Sequence, residues 1–306
     1  YLSDDAYNVF CDSISCRHLI DFVISLLRNN VKTVFHESFS LSRPSIASVL
    51  NIAYNLEQTC NTMSLDNAIR QDSFLGTRYA KAMPRYAVGM GLLGDSSKLT
   101  SFGKQVLYSD PHLEQLGTQW LMHYYMSASH GPGPAFWNQL VTTRFRSGEE
   151  FSAQDIAEQI AEFYQTIEGK PLAERSARAT ATIFLGTYTK SDGLGRLELL
   201  QETSKDNYLV AEPQSPPVWA VGCALLDFWL AHYPNQVTAN LNDLLAENGL
   251  TKLFLISRAR LNALLERLQQ EGFIDVYRLS PPYQVVLLNK NMEAYLEKLY
   301  GSDSDT

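Results

Sequence analysis

Six basic residues are concentrated between positions 70 and 104 of a chain that is acidic as a whole. The 306 residues have a formal net charge of −8, whereas the six cations of this segment face only two carboxylates, Asp72 and Asp95, which gives it a net charge of +4. The cations are Arg70, Arg78, Lys81, Arg85, Lys98 and Lys104. Local positive charge attracts a polyanion such as DNA even where the whole molecule repels it. The segment is therefore a candidate nucleic-acid contact, and the alternative is a solvated helix surface.

Three of these cations have the spacing of one helix face. Arg78, Lys81 and Arg85 are separated by three and four residues, and residues at such intervals lie on one side of a helix. The apolar pattern predicts a short helix over 65–70, a turn, and a second helix from residue 77 to just before Gly89. In helix-turn-helix proteins the second helix of such a pair enters the major groove of DNA.

A small hairpin is predicted directly after these two helices. Residues 92–93 and 98–99 are expected to pair across Gly94–Ser97, whose residue types tolerate a tight turn. Thr100 is expected to cap the helix that follows. Two helices followed by a hairpin are typical of a winged helix, in which Lys98 would lie on the wing.

Two residues of the second helix carry expectations of their own. Tyr86 is interleaved with the cations and is a candidate contact with sugar or phosphate. Pro84 lacks an amide donor, so it is expected to kink or split the helix near Met83.

The same order of elements is predicted twice more, over residues 152–212 and 241–288. Ser152–Asp155 has the pattern of a capping box, and Ser257 and Gly272 mark the start and the end of the last copy's second helix. Further candidate DNA contacts in these copies are Arg175, Arg178, Arg258 and Arg260. The two copies carry less net positive charge than phosphate neutralisation requires, which favours a structural or protein-contact role for them.

The predicted fold is mainly α-helical with small β-hairpins, built from tandem winged-helix modules packed by connecting helices. The modules are residues 1–130, which include an N-terminal helix, 131–233 and 234–306, with boundaries where glycine and proline cluster. A helix over 217–232 is expected to pack between modules. Its side chains that are too apolar to face water are Trp219, Leu225, Trp229 and Leu230.

His36 and Glu37 are the candidate catalytic residues. A histidine beside a glutamate serves as a general base, as a metal ligand or as a satisfied structural pair. The neighbouring sequence offers no second carboxylate, which favours the structural role. No metal site is predicted, and the glycine-rich stretches lack the features of a phosphate loop or a dinucleotide fingerprint.

The number of cysteines and the length of the apolar runs indicate the cellular compartment of the protein. Four cysteines, Cys11, Cys16, Cys60 and Cys223, are too few for a disulfide framework and are expected to be buried thiols. No apolar run reaches the length of a membrane span. A soluble cytoplasmic protein without membrane contact is therefore expected.

Four groups of sequence strings, taken in order, carry a resemblance to a known family. They are Phe35–Phe39 with Arg43, Gly76–Tyr86, Gly91–Leu93 with Leu99–Gly103, and Asp110–Glu114 leading to Trp120–His123. Together they resemble the bacterial domain-of-unknown-function family 4007 over residues 34–300. Members of that family are encoded beside sulfur-transfer enzymes in DNA phosphorothioation and related antiphage loci, and one branch is the DNA-nicking SspB component.

The resemblance implies an SspB-like, DNA-acting partner of a modification complex. It carries over to the positions that match the family pattern, which are His36, Glu37, Arg43, Arg85 and Tyr86. The departures from that pattern are Phe35, where glycine is expected, Ser38 in place of threonine, and the intrusive Pro84.

Three functional hypotheses follow. In the first, the protein is the component of a phosphorothioation and antiphage defence system that grips duplex DNA, with sulfur-transfer and ATPase proteins of the same system as partners and a homodimer as its assembly. The second adds nicking of the DNA, with Mg²⁺ or Mn²⁺ as cofactor and His36 and Glu37 in the site. The third is a transcriptional regulator or a non-catalytic scaffold whose winged helices bind proteins.

Overall fold

The structure is a computed structural model and describes residues 35–60, 62–72, 77–245 and 249–301. The helix predicted within the first thirty residues, Cys11, Cys16 and the acidic tail after residue 301 lie outside the described residues. Arg78 belongs to a described helix, but its side chain is outside what the structure describes.

The first half of the described chain is helical. Its helices are α1 (Arg43–Gln58), α2 (Leu65–Asp72), α3 (Thr77–Gly89), α4 (Ser101–Ser109), α5 (Leu116–Ser127) and α6 (Ala135–Arg144). Between α3 and α4 the chain makes a tight turn whose two sides meet in one antiparallel bridge, Leu93 with Leu99. The hairpin predicted here is therefore reduced to a single bridge.

The second half alternates short strands with helices. Its elements are β1 (Glu150–Ser152), α7 (Ala153–Glu168), α8 (Glu174–Thr189), a 3-10 turn (Gly195–Leu197), β2 (Leu200–Ser204), β3 (Asn207–Val210), α9 (Val218–His232), β4 (Thr238–Asn240), α10 (Leu241–Leu244), α11 (Leu250–Leu253), α12 (Arg258–Gln270), β5 (Ile274–Tyr277), β6 (Gln284–Leu287) and α13 (Met292–Gly301). The predicted mainly helical class with small hairpins is confirmed.

The six strands form two antiparallel sheets of the same topology. Their strand orders are β1-β3-β2 and β4-β6-β5. Phe151 of β1 lies opposite Tyr208 of β3, and Ala239 of β4 lies opposite Val285 of β6. In both sheets the strand before the helices pairs with the second strand of the hairpin that follows them.

Local sequence signals set several helix ends. The Thr100 side chain accepts a backbone amide at the start of α4, Ser152 and Asp155 form the capping box of α7, and Ser257 caps α12. Gly272, just after α12, has a φ of +75°. The predicted caps are confirmed, and each satisfies a backbone group that a helix end leaves without a partner.

The buried apolar side chains of the described residues form one core. Helix α9 packs against α5, α12 and α13, and Trp219, Leu225 and Trp229 are buried, as predicted. The prediction is wrong for Leu230, which is 45% exposed. It follows Trp229 directly, so it lies about 100° further around the helix and off the packed side.

Helix α3 continues through Pro84 without interruption, so the predicted split is wrong. The proline removes one helical hydrogen bond, the one to the carbonyl of Ala80. Met83 and Tyr86, on either side of it, are fully buried and hold the adjacent turns in the core. Packing thus offsets the loss of one backbone bond.

Both described cysteines are free thiols. Cys223 is buried, as predicted, whereas Cys60 is exposed because it follows the last turn of α1, and the prediction of burial is wrong there. No helix within the described ranges has both the length and the apolar character needed to span a bilayer.

Candidate nucleic-acid interface

Helix α3 brings Lys81 and Arg85 to one open groove. The two residues are four positions apart on the same helix face, and both line a cavity of about 270 Å³. The turn between α3 and α4 contributes Asp95 and Ser97 to its lining, and α2 contributes Asp66. We call this surface the α3 groove. The sequence spacing of Lys81 and Arg85 predicted that they would share a surface, and they do.

Apolar groups line much of the α3 groove. Phe35 and the loop Pro132–Pro134 are among them. The loop lies tightly against α5, since a Cβ at Gly133 would stand 2.1 Å from the backbone oxygen of Met126. Phe35 packs edge-on against Tyr86 at a centroid distance of 5.1 Å. Its ring therefore fills part of the groove wall.

The turn between α3 and α4 holds Lys98 next to the groove. The Gly94 amide donates to the Lys98 oxygen at 2.8 Å, and Ser97 has a φ of +60°. The Glu57 carboxylate of α1 accepts the amide of Leu99 at 2.6 Å, which ties the turn to the helical core. Lys98 is exposed and adjacent in the chain to Ser97, a groove residue.

Charge in the α3 groove is more balanced than the sequence segment suggested. Asp66 and Asp95 line it together with Lys81 and Arg85. Arg85 is already part of an ion pair, because its Nη1 donates to Glu37 Oε1 at 2.9 Å. Among the side chains of the segment that the structure describes, the exposed cations are Arg70, Lys81, Lys98 and Lys104.

Tyr86 is not a surface residue. Its side chain is fully buried, its hydroxyl donates to the Phe39 oxygen at 3.0 Å, and burial raises its pKa. The contact with sugar or phosphate that the sequence suggested is incompatible with this burial. The reason is helical geometry, since Tyr86 lies about 100° around α3 from Arg85.

Arg43 links separate backbone segments through hydrogen bonds of its side chain and its backbone amide. Its guanidinium donates to the backbone oxygens of Leu113, Ser191 and Gly193, and its backbone amide donates to the oxygen of Asp192 at 2.7 Å. Burial lowers the pKa of the guanidinium. The side chain thus fastens the start of α1 to the segment before α5 and to the loop after α8, and its donors are directed at protein.

The four arginines of the later modules lie outside the α3 groove. Arg175 and Arg178 are exposed on α8, where Arg178 pairs with Glu174 at 2.7 Å. Arg258 and Arg260 are exposed on the first turn of α12. The structure therefore does not bring these cations together with Lys81 and Arg85.

The imidazole of His36 is neutral, and both of its ring nitrogens are hydrogen-bonded. Its Nδ1 accepts the Ser38 amide at 3.0 Å, so the ring proton lies on Nε2, which is 3.0 Å from Thr180 Oγ1. The Thr180 hydroxyl in turn donates to the oxygen of Ser176. Burial lowers the pKa of His36 to about 4, against the opposing charge of Glu37. Both ring nitrogens are engaged, which supports the structural role that the sequence favoured.

The α3 groove continues toward a cluster that the sequence did not indicate. A second cavity of about 380 Å³ shares Asp95 with it and reaches Asp227 of α9. Asp227 Oδ2 accepts the Tyr124 hydroxyl at 3.0 Å and lies 2.8 Å from His130 Nε2. Across the described ranges, no three His, Cys, Asp or Glu side chains are placed to hold a metal ion. Asp227 and Asp66 were missed because both lie outside the basic segment in sequence.

Two solved structures of SspB share the fold of this chain. A magnesium ion-bound SspB crystal structure matches with a TM-score of 0.70 and 17% identity, covering 88% of this chain and 87% of that chain. A second SspB crystal structure matches with a TM-score of 0.67 and 16% identity over the same shares. At this identity the likeness shows a common fold.

Comparison with curated proteins gives no match. The sequence profile of the family described as "Protein of unknown function (DUF4007)" matches residues 85–300. The match covers well over half of the chain and agrees with the resemblance seen in the sequence strings. The protein therefore belongs to the DUF4007 family.

Proposed function

We propose that this protein binds duplex DNA through the α3 groove, as a component of a DNA phosphorothioation and antiphage defence system. The observation that carries the DNA-binding part is the placement of Lys81 and Arg85 in one open groove of an acidic protein. Membership of the DUF4007 family and the fold shared with SspB support the system. Such a component works in the cytoplasm, beside sulfur-transfer and ATPase proteins.

The strand order supports tandem winged helices as the DNA-reading or partner-reading modules. In a winged helix the strand that precedes the second helix pairs with the last strand of the hairpin, as β1 does with β3 and β4 with β6. In the first module α2 and α3 supply the helix pair and the bridged turn supplies a reduced wing. The division into modules at residues 130 and 233 stays a prediction.

The proposed grip is electrostatic. Lys81 offers a point charge to one phosphate, and Arg85 offers a planar fork that suits two phosphate oxygens. Lys98 on the turn is exposed and extends the contact along the backbone. Asp66 and Asp95 in the same groove repel a badly placed strand, so they limit the positions at which DNA docks. The acidic remainder of the chain disfavours binding elsewhere.

The test is the salt dependence of duplex binding. We expect Lys81→Gln and Lys98→Gln each to weaken binding about three- to tenfold and to reduce the slope of log affinity against log salt by about one unit, because each removes one phosphate contact. Fluorescence anisotropy with a labelled duplex at several salt concentrations measures both quantities. Lys170→Gln, an exposed lysine at the end of α7, is the matched control and should change neither. An unchanged slope in both groove variants would exclude this surface.

Nicking is the finer hypothesis that the sequence raised, and His36 does not fit the role of general base or metal ligand for it. Such a role needs an open lone pair facing the substrate, whereas both nitrogens of His36 are hydrogen-bonded. The Glu37 carboxylate contacts Arg85 through Oε1, and within the described residues no three His, Cys, Asp or Glu side chains are placed to hold a metal ion. We therefore assign no catalytic step to these two residues.

A protein-binding role is favoured for the third module. The tip of its hairpin exposes apolar side chains, with Leu279 97% and Tyr277 52% exposed. Exposed apolar groups of this kind are typical of contacts with proteins. If the protein is a regulator or a scaffold, this hairpin would bind the partner protein and the α3 groove would bind nothing. In a homodimer the same hairpin would contact the second subunit.

A further inference from the structure

Arg85 is shared between a protein carboxylate and the α3 groove. Its Nη1 lies 2.9 Å from Glu37 Oε1, and the side chains of the two residues are 37% and 20% exposed. Arg85 also lines the groove. An anion that enters the groove therefore reaches Arg85 without any unfolding of the protein.

The loop that carries Glu37 is held in an unusual conformation. Glu37 and Ser38 have φ values of +46° and +72°, which side-chain-bearing residues normally avoid. The loop is fixed at His36, which accepts the amides of Ser38 on Nδ1 and of Phe39 on its backbone oxygen. Tyr86 of α3 adds a bond to the Phe39 oxygen. The surroundings therefore hold the Glu37 carboxylate against Arg85 in spite of the backbone cost.

A carboxylate and a phosphate are equivalent ligands for a guanidinium. Each presents two oxygens in the spacing of the planar arginine fork. A partly exposed ion pair contributes little net stability, because its Coulomb energy is screened and offset by side-chain entropy. Replacing one anion by the other at Arg85 is thus close to neutral in free energy, and the two compete.

We propose that Glu37 is a built-in competitor for the backbone phosphate of DNA at Arg85. This inference rests on the proposed DNA-binding function of the α3 groove. Bound DNA displaces the carboxylate from the guanidinium, and released DNA lets it return. Glu37 therefore lowers the affinity of the groove and keeps binding reversible.

The experiment is a double-mutant cycle on duplex affinity. Glu37→Gln keeps the size of the side chain and removes its charge, and it should raise affinity about three- to tenfold. In an Arg85→Gln background the same change should give a clearly smaller gain, because the residue for which the two anions compete is gone and only general charge repulsion remains. Thermal unfolding of each variant, measured alongside, shows that the fold is kept.

The matched control is Asp95→Asn, which removes one negative charge from the lining of the α3 groove. Its effect comes from general repulsion, so any gain in affinity should persist in the Arg85→Gln background. If the full Glu37→Gln gain also persists there, Glu37 acts only through general charge and the competition is wrong. A loss of affinity in Glu37→Gln would show instead that Glu37 positions Arg85, which also overturns the proposal.

The outcome for Lys81→Gln separates this inference from the function on which it rests. Weaker binding in Lys81→Gln with no gain in Glu37→Gln would reject the competition and keep the DNA groove. Unchanged binding and an unchanged salt slope in both Lys81→Gln and Lys98→Gln would reject the groove itself, and the competition with it.

Discussion

Lowering the pH from 7 to 4 is expected to remove about 3 kcal/mol from the free energy of unfolding through His123 alone. The side chain of His123 is fully buried. Burial lowers its pKa to about 4, and the bond to the Leu253 carbonyl opposes this only in part. The folded protein therefore holds this imidazole neutral over the whole range from neutral pH down to about 4.

The hydrogen bonds around His123 explain why the neutral form is preferred. Nε2 donates to the Leu253 oxygen at 2.8 Å, and Nδ1 accepts from the Tyr188 hydroxyl at 2.9 Å. The Tyr188 hydroxyl itself accepts the Trp137 indole at 2.8 Å. Protonation at Nδ1 would set a second donor against the Tyr188 hydroxyl inside the core, where an unpaired polar group costs most.

The sign of the effect follows from the two pKa values. The unfolded chain has the ordinary histidine pKa of about 6.5, so between that value and about 4 it binds more protons than the folded protein does. Stability is fully present above the unfolded pKa and is lost as the pH falls toward the folded one. His36, whose pKa is also lowered to about 4 by burial, adds a loss in the same direction.

Urea unfolding at a series of pH values between 7 and 4 measures this loss. His123→Asn should be less stable at neutral pH but should show a shallower decline, because one group that takes up a proton on unfolding is removed. His232→Gln, which changes an exposed histidine, is the control and should keep the wild-type decline. An identical decline in His123→Asn and wild type would contradict the buried, neutral histidine.

Arg43→Ala is expected to cost about 3 kcal/mol of stability, because hydrogen bonds from a charged donor contribute about 1.5–3 kcal/mol each and are not additive. The change leaves the backbone oxygens of Leu113, Ser191 and Gly193 without this donor. It also removes the side-chain bonds between the start of α1 and the two segments that carry these oxygens, while the backbone bond of residue 43 to the Asp192 oxygen remains. Urea unfolding at neutral pH measures the loss.

Two variants show whether the effect comes from these bonds. Arg43→Lys keeps the charge but not the fork, so it should recover only a small part of the lost stability. Arg178→Ala removes an arginine whose partner is the exposed Glu174 on the same helix, and it should change stability by less than about 0.5 kcal/mol. Equal losses of unfolding free energy in Arg43→Ala and Arg178→Ala would contradict the stabilising role of the hydrogen bonds of Arg43.

The local features of the fold were predictable from the sequence. The caps at Thr100, Ser152 and Ser257 depend on side chains within three residues of the helix start, so the pattern alone determines them. The mainly helical class followed from apolar periodicity in the same way. Pro84 misled this reasoning because the packing of its neighbours, which no local rule includes, keeps α3 continuous.

The composition of the candidate site was predictable only in part. Lys81 and Arg85 belong to one helix, and their spacing was enough to place them together. The contact of Arg85 with Glu37 joins residues 48 positions apart, and that of Asp227 with His130 joins residues 97 apart. Such pairs depend on the tertiary packing of segments that are far apart in sequence. The sequence therefore indicated the cations of the groove and Asp95, but neither Asp66 nor the contact of Glu37 with Arg85.

Cleavage of bound DNA from a tethered radical source tests most directly whether duplex DNA lies along the α3 groove. An iron–EDTA group is attached to a Ser96→Cys variant, at an exposed turn residue next to groove residues, with Cys11, Cys16 and Cys60 replaced by serine. A matched variant carries the group at exposed Glu212, outside the groove. We predict localised cleavage from position 96 and little from position 212. Cleavage from position 212 alone, or equal cleavage from both, would contradict a DNA-binding α3 groove.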